Sequence, residues 1–271
     1  MKKGRFFYMN ELITFATMIS RNQIKFVQSL RLKKFRDQHG LFIAEGEKIV
    51  AELINSKLSV KMLFAVEEWV NLQHQNISES IDLHVVSGKE LERISNMKTP
   101  NKVLAVIQQP QNLFTGEIFS EGLVLMLDKI QDPGNLGTIL RTADWFGVRH
   151  VICSPDTADV YNPKTIQSSM GSFIRVQTYY TDLGSCIDKL NKDVIVYGAF
   201  PDASDLYSVK PALPAVLVVG NESKGISAEV ASRIQQKLMI PSGAKNFRGG
   251  AESLNAAMAT GIILSWVTKN T

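Results

Sequence analysis

Along the second half of the chain, short apolar runs alternate with turn-rich polar stretches and with apolar positions at helical spacing. Leu123-Val124-Leu125-Met126-Leu127 has the length of a buried strand and is too short for a buried helix. His150 to Ser154, Val194 to Ala199, Ala215 to Val219 and Lys237 to Ile240 read the same way. Between them, helical spacing covers Gly137 to Phe146, Tyr161 to Met170, Leu183 to Asn191, Ala228 to Gln236 and Ser253 to Val267. Strands nearly continuous in apolar residues, separated by helices, predict a parallel sheet covered on both faces. An α/β domain over residues 116–271 follows.

The first half is less regular. Gln23 to Phe35 reads as one helix with Phe26, Val27 and Leu30 on one side, and with Arg21, Lys25, Arg31, Lys33, Lys34 and Arg36 mostly elsewhere. Those cations fit either a solvated face or contacts to phosphates. Leu41 to Gly46 then reads as a strand and turn, Glu47 to Asn55 as a helix and Val60 to Val66 as a strand, and the alternation continues to Val103–Ile107. This predicts a smaller α/β domain over residues 18–108. Gln108 to Asn112 is polar and contains Pro110, placing a linker at 109–115. Residues 1–17 fit neither pattern, whereas Met18 reads as a domain start; the segment is expected to be a disordered extension or the product of an upstream start codon.

Composition narrows the partners only modestly. The 271 residues are 45% hydrophobic and 21% charged with a net charge of +4, compatible with an acidic partner such as RNA without requiring one. Two cysteines, Cys153 and Cys186, are too few for a disulfide framework or zinc cluster. His39, His74, His84 and His150 show no ligand spacing with them, so no metal is expected. No stretch reaches the roughly 20 apolar residues of a membrane span, and Asn10 and Glu11 interrupt any secretory apolar region. The chain reads as cytoplasmic.

Three stretches carry candidate chemistry. In Asp132 to Arg149, turn residues follow a predicted strand and pass into a helix, which puts Asn135 at a loop tip and Arg141 in the first helical turns. Strand ends are where open α/β sheets bind ligands. Val216 to Ser227 holds Gly220 and Gly225 at phosphate-loop spacing, but Ile226 stands where such a loop needs lysine, which excludes an NTPase. Likewise Gly134-Asn135-Leu136-Gly137 lacks the glycine spacing of a dinucleotide-binding oxidoreductase. The third stretch joins Ile240-Pro241 to Arg248-Gly249-Gly250-Ala251-Glu252-Ser253-Leu254-Asn255 and a small-residue helix, with Ser253 as its expected N-cap.

In this order and spacing the three stretches resemble the motifs of the SpoU/TrmH family of RNA ribose 2′-O-methyltransferases. Lys33 to Gly46, with Lys98-Thr99-Pro100 before Val103-Leu104-Ala105-Val106, resembles the L30e-like substrate-binding domain that precedes many of those enzymes. The resemblance implies a SPOUT fold whose C-terminal part is tucked into a deep trefoil knot, S-adenosylmethionine as cofactor, and a homodimer formed through the C-terminal domain. It places RNA on the N-terminal domain, ribosomal RNA before tRNA, with a non-catalytic RNA-binding assembly factor as a further alternative. Gly220, Asn221, Gly225, Ile240, Pro241 and Leu254 map onto cofactor contacts. Asn135, Arg141, Glu222, Ser253 and Asn255 map onto the polar positions around the reacting ribose. For Arg141 a role in orienting phosphate and hydroxyl suits a guanidinium better than that of general base, because this group keeps its proton. Two departures stand out: Ser223 replaces a family glycine although serine tolerates positive φ poorly, and Ser242 to Phe247 lengthens the third connection. If residues 1–17 lie outside the functional fold, deleting them leaves solubility and methyl transfer unchanged; a truncated protein that aggregates or loses activity would refute this.

Overall fold

The computed structural model describes residues 18–97, 99–112, 114–120, 122–243 and 253–271. The chain forms two compact units, one ending at Pro110 and including Tyr161–Pro163, the other made of Gln111–Val160 and Lys164–Thr271.

The first unit contains α1 (Arg21–Ser29), α2 (Lys33–His39), β1 (Leu41–Glu45), α3 (Glu47–Ile54), β2 (Val60–Ala65), α4 (Glu67–Gln73), β3 (Asp82–Val85), α5 (Gly88–Ile94) and β4 (Val103–Gln108). Its sheet runs β1-β4-β2-β3, antiparallel except for the β2–β3 pair. Strand alternation sends Ile43, Phe64, Leu104 and Val106 into a core with Val27, Leu30, Leu91 and Ile94. Their neighbours Phe42, Leu63, Val103 and Ile107 are equally buried on the other face. A capping box of Ser20 and Gln23 starts α1.

The single helix expected over Gln23–Phe35 is in fact two. The break has a physical cause in Arg36, which is 1% exposed and donates from Nη1 to the carbonyls of Leu30 and Arg31 at 3.0 and 2.7 Å. A buried guanidinium thereby satisfies carbonyls where α1 ends. Arg31 is similarly committed, donating to the carbonyls of Ile94 and Ser95. These two cations are therefore structural, whereas Arg21, Lys25, Lys33 and Lys34 are exposed. Buried Glu45 fixes the loop after α5 by accepting from Ser95 Oγ and from the Asn96 amide. Lys98 lies outside the described residues.

The second unit contains β5 (Leu123–Asp128), α6 (Pro133–Trp145), β6 (His150–Cys153), α7 (Pro163–Ser169), β7 (Gln177–Tyr180), α8 (Leu183–Ile187), β8 (Ile195–Asp205), β9 (Ala215–Gly220), α9 (Ala228–Ala231), β10 (Gln236–Met239) and α10 (Ala256–Asn270). All six strands are parallel, in the order β10-β8-β9-β5-β6-β7. The hydrophobic pattern indicated five of them; β7, Gln177-Thr178-Tyr179-Tyr180, escaped because this short edge strand buries only Thr178 and Tyr179 and leaves Gln177 and Tyr180 exposed, so it carries no apolar run. One face of the sheet packs Val124, Met126, Val216 and Val218 against Leu183 and Ile187 of α8 and Val230 of α9. On the other side α6 and α10 pack together and bury Leu136, Ile139, Leu140, Ile263 and Leu264. The expected knot belongs to a region of which residues 244–252 lie outside those described.

Gly137 is where α6 meets α7. A Cβ there would stand 2.5 Å from the Thr165 carbonyl oxygen and 2.6 Å from Ser168 Cβ, so backbone, not a flexible side chain, would have to yield. Although alanine is the better helix former by about 1 kcal/mol, Gly137→Ala is expected to destabilise the protein by about 1–3 kcal/mol through overpacking. Urea denaturation checks this, and unchanged stability would show that the α6–α7 contact is looser than described.

Candidate active site

The chain leaves β5 toward β6 and β7 on one side of the sheet, then returns as β8 and β9 on the other. The order reverses between β5 and β9, the position at which a parallel α/β sheet opens a crevice at its carboxyl edge. Asp128 and Gly220 end the two strands as register partners. The loops that follow are pinned to each other. Asp128, 2% exposed, accepts a hydrogen bond from the Ser227 amide at 2.7 Å. Lys129 adopts a left-handed φ of 59°, held by its amide donating to Ser154 Oγ and its carbonyl accepting from Asn221 Nδ2, each at 2.9 Å. Neighbours that fix a residue from both sides can sustain such strain.

Asn221 also organises the loop after β9. Its Oδ1 accepts from the amides of Ser223 and Lys224, and its backbone bridges Gly225 in both directions. The loop folds so tightly that a Cβ on Gly220 would sit 2.3 Å from the Gly225 carbonyl carbon. Gly220 is thus required by the chain's own return, and the left-handed residue of the turn is Gly225, with φ 67°. Ser223 does not take a positive φ, so the replacement of the family glycine leaves the turn intact.

At the start of α6, Asp132 is the N-cap and accepts from the Asn135 amide at 3.0 Å. Its other oxygen accepts from Lys164 Nζ at 2.7 Å, and this hydrogen bond, with those from the helix amides, holds the carboxyl below its ordinary pKa. Pro133 occupies the first turn, where its missing N–H costs nothing. Asn135 consequently lies inside the first helical turn, not at a loop tip as the sequence suggested. From there its Nδ2 donates to Glu222 Oε1 while its Oδ1 accepts from Asn255 Nδ2 at 3.0 Å. Asn255 in turn caps α10, its Oδ1 accepting from the amides of Ala257 and Met258. Asn255, and not Ser253, is therefore the N-cap; Ser253 is exposed.

One hydrogen-bonded chain, Glu222–Asn135–Asn255, thus joins residues from all three stretches. Its polarity is fixed at one end, since Asn255 must turn its carbonyl toward amides that can only donate. The remaining candidates are spread around this centre. Arg141 lies six residues further along α6, roughly 9 Å along the axis; its side chain is exposed and has no hydrogen-bond or ion-pair partner among the described residues. Ile240 and Pro241 follow β10 directly, and Leu254 is 48% exposed. Arg248 to Glu252 lie outside the described residues. Sequence reasoning passed over Asp128, Lys129 and Asp132. The Asp-Pro-x-Asn spacing carried a legible capping signal for Asp132; nothing local marked the other two, whose partners are about 25 and 99 residues away in sequence. No group of three or more His, Cys, Asp or Glu among the described residues could hold a metal ion.

Comparison with known proteins identifies the family. The model of the SpoU rRNA methylase family matches residues 122–265, and that of the MRM3-like substrate-binding domain matches residues 21–105. The 23S rRNA (guanosine(2553)-2'-O)-methyltransferase RlmP of Bacillus subtilis is 31% identical over 248 residues, covering 90% of this chain and 96% of the relative. A TrmH-family structure from Porphyromonas gingivalis superposes with a TM-score of 0.81 at 37% identity, covering 94% of this chain and all of that one. An AdoMet-bound rRNA methyltransferase from Sinorhizobium meliloti gives a TM-score of 0.80 at 28% identity, covering 93% and 96%. With the family model spanning more than half of the chain and the three motifs joined at one sheet edge, this protein belongs to the SpoU rRNA methylase family.

Proposed function

We propose that the protein transfers a methyl group from S-adenosylmethionine to a ribose 2′-hydroxyl of ribosomal RNA. The observation that carries the reading is the Glu222–Asn135–Asn255 chain at the crevice between β5 and β9, in a chain of this family. Ribosomal RNA is favoured over tRNA because RlmP, named for action on 23S rRNA, matches across both units, and because the first unit matches a substrate-binding domain. We assign RNA docking to residues 18–108, a linker to 109–115 and methyl transfer to 116–271. A cytoplasmic setting suits this substrate, and no helix among the described residues is long and apolar enough to cross a membrane.

The residues present suit the cofactor. Ile240 and the half-exposed Leu254 offer apolar surface for an adenine, and the carboxylate of Glu222 offers a countercharge to a cation. Gly220, Asn221, Gly225, Ile240, Pro241 and Leu254 would hold it. Bound S-adenosylmethionine supplies a methyl group activated by a positively charged sulfur. The protein's own task is then positional: to bring the hydroxyl oxygen in line and to lead its proton away. Asn135, with both ends of its amide engaged, holds the loop of Glu222 and the start of α10 in register. Arg141, exposed on α6, binds the target phosphate and orients the hydroxyl; because a guanidinium does not give up its proton to become a base, the proton passes to a substrate phosphate or to water. Ser253 and Asn255 complete the polar wall.

We also propose that a second copy of the chain completes the site. Thr138 and Thr142 of α6, Tyr207, and Met258, Gly261 and Trp266 of α10 line a groove of about 950 Å³, in which Tyr207 and Met258 remain 64% and 61% exposed. A groove that mixes exposed apolar side chains such as Tyr207 and Met258 with polar ones such as Thr138, Ser265 and Lys269, on the helices that flank the site, suits a self-complementary interface.

Arg141→Ala is expected to lower transfer from labelled S-adenosylmethionine to rRNA lacking the modification by about 100-fold or more while leaving cofactor affinity within twofold. Label entering only tRNA would replace the substrate assignment, and an active variant would remove Arg141 from the site. Met258→Arg is expected to turn the dimer into a monomer in sedimentation velocity with loss of activity; a dimer that persists in the variant would move the interface elsewhere.

A further inference from the structure

Lys164 is the second residue of α7, and its Nζ donates to Asp132 Oδ2 at 2.7 Å, while Asp132 Oδ1 accepts from the Asn135 amide at 3.0 Å. Stability does not account for this ion pair. The two side chains are 59% and 47% exposed, and a pair so open to water contributes little to folding. The ammonium also lies at the start of α6, where the helix dipole favours negative charge and disfavours a cation. Gly134 makes room for it: a Cβ there would stand 3.0 Å from Lys164 Cε and 2.7 Å from Asp132 Oδ1, so the glycine leaves the lysine stem its path across the first turn.

What the contact controls is direction. Asp132 spends one oxygen on α6 and the other on α7, so the plane of its carboxylate, and with it the Asn135 amide, is set from α7. A second contact fixes the same stretch, since Gly137 packs against the Thr165 carbonyl and the Ser169 amide, both in fully buried residues. Asn135 sits between these two anchors, and its side chain carries the hydrogen bonds to Glu222 and Asn255. Lys164, Asp132, Asn135 and Asn255 thus form one run of contacts that ends on the amides of Ala257 and Met258 at the start of α10.

We propose that Lys164 is a positioning residue for methyl transfer: through Asp132 it sets the first turn of α6 so that Asn135 holds Glu222 and Asn255 in place at the reacting centre. This rests on the methyltransferase reading and adds to it a residue of α7 that acts through another. An in-line displacement is sensitive to such a device, because a misplacement of about 1 Å costs on the order of 100-fold in rate.

Two substitutions in the full-length protein test the proposal. Lys164→Met keeps most of the aliphatic stem and removes the charge, whereas Lys164→Arg returns a donor to the carboxylate. In methyl transfer to unmodified rRNA, Lys164→Met should lower kcat by about 10-fold, with KM for RNA and for S-adenosylmethionine within about twofold, and Lys164→Arg should recover to within about threefold of the wild type. Hydrogen exchange followed by mass spectrometry reads the same linkage without turnover. Lys164→Met should speed exchange at the start of α6 and at the Ala257 and Met258 amides of α10, with an unchanged urea midpoint, and Lys164→Arg should restore protection at both. An unchanged kcat in Lys164→Met, or faster exchange in α6 alone, would overturn the positioning role. So would a raised KM for RNA at unchanged kcat, which would make Lys164 a phosphate contact, or a general loss of protection with a lowered urea midpoint, which would assign it to overall stability. If the wild type methylates neither rRNA nor tRNA while the exchange pattern is as expected, the proposed activity is refuted and the linkage of Lys164 to the Asn135 clamp stands.

Discussion

The side-chain amide of Asn135 is the constraint on which this site depends. It gives its N–H to Glu222 and takes one from Asn255, because a carboxamide donates and accepts from one planar end without changing its protonation state. Each partner is committed elsewhere: Glu222 belongs to the loop ordered by Asn221, and Asn255 caps the C-terminal helix. A shift of any one of the three segments would break a hydrogen bond and leave a polar group unsatisfied in a partly buried crevice. Three elements, the outer two 120 residues apart in sequence, are thereby kept in one arrangement.

Around this clamp, close approach of backbones does much of the remaining work. Gly137 lets α6 touch α7, and Gly220 lets the β9 loop turn back on its own strand end. In both places the glycine answers to the protein's own chain, although its position in a motif invites the interpretation that a ligand demands it. The buried carboxylate of Asp128 and the left-handed Lys129 serve the same end, tying the β5 and β9 loops together before any substrate arrives. Such preorganisation is what an in-line displacement requires, because its rate depends on holding two atoms within a narrow range of distance and angle.

The first unit shows the same economy with charge. Of six cations near its N-terminal helices, Arg36 and Arg31 are spent on backbone carbonyls, while Arg21, Lys25, Lys33 and Lys34 remain exposed to solvent. A basic helix read only by its composition therefore overstates the surface offered to a phosphate backbone. In the second unit the reverse holds: Arg141 and Arg149 are exposed cations that composition would not single out.

Much of the fold was legible because hydrophobic burial is written locally. The runs Leu123–Leu127 and Ala215–Val219 could only be buried strands, and the apolar spacing from Leu136 to Ala143 could only be a helix against a sheet. The resemblance of the three motifs brought Asn135, Glu222 and Asn255 together before their contacts were known. Ends and breaks of elements were less legible, as with the split of the Gln23–Phe35 helix and the cap at Asn255, because they are decided by hydrogen bonds whose partners compete within a few residues. Hidden altogether were the reversal of strand order between β5 and β9, the pairing of Asp128 with Ser227 and the burial of Arg36. By itself the sequence determined which residues seek an apolar core and which could do chemistry; the tertiary structure alone decided which polar groups meet, because a hydrogen bond between distant segments depends on three-dimensional position and leaves no period in the chain.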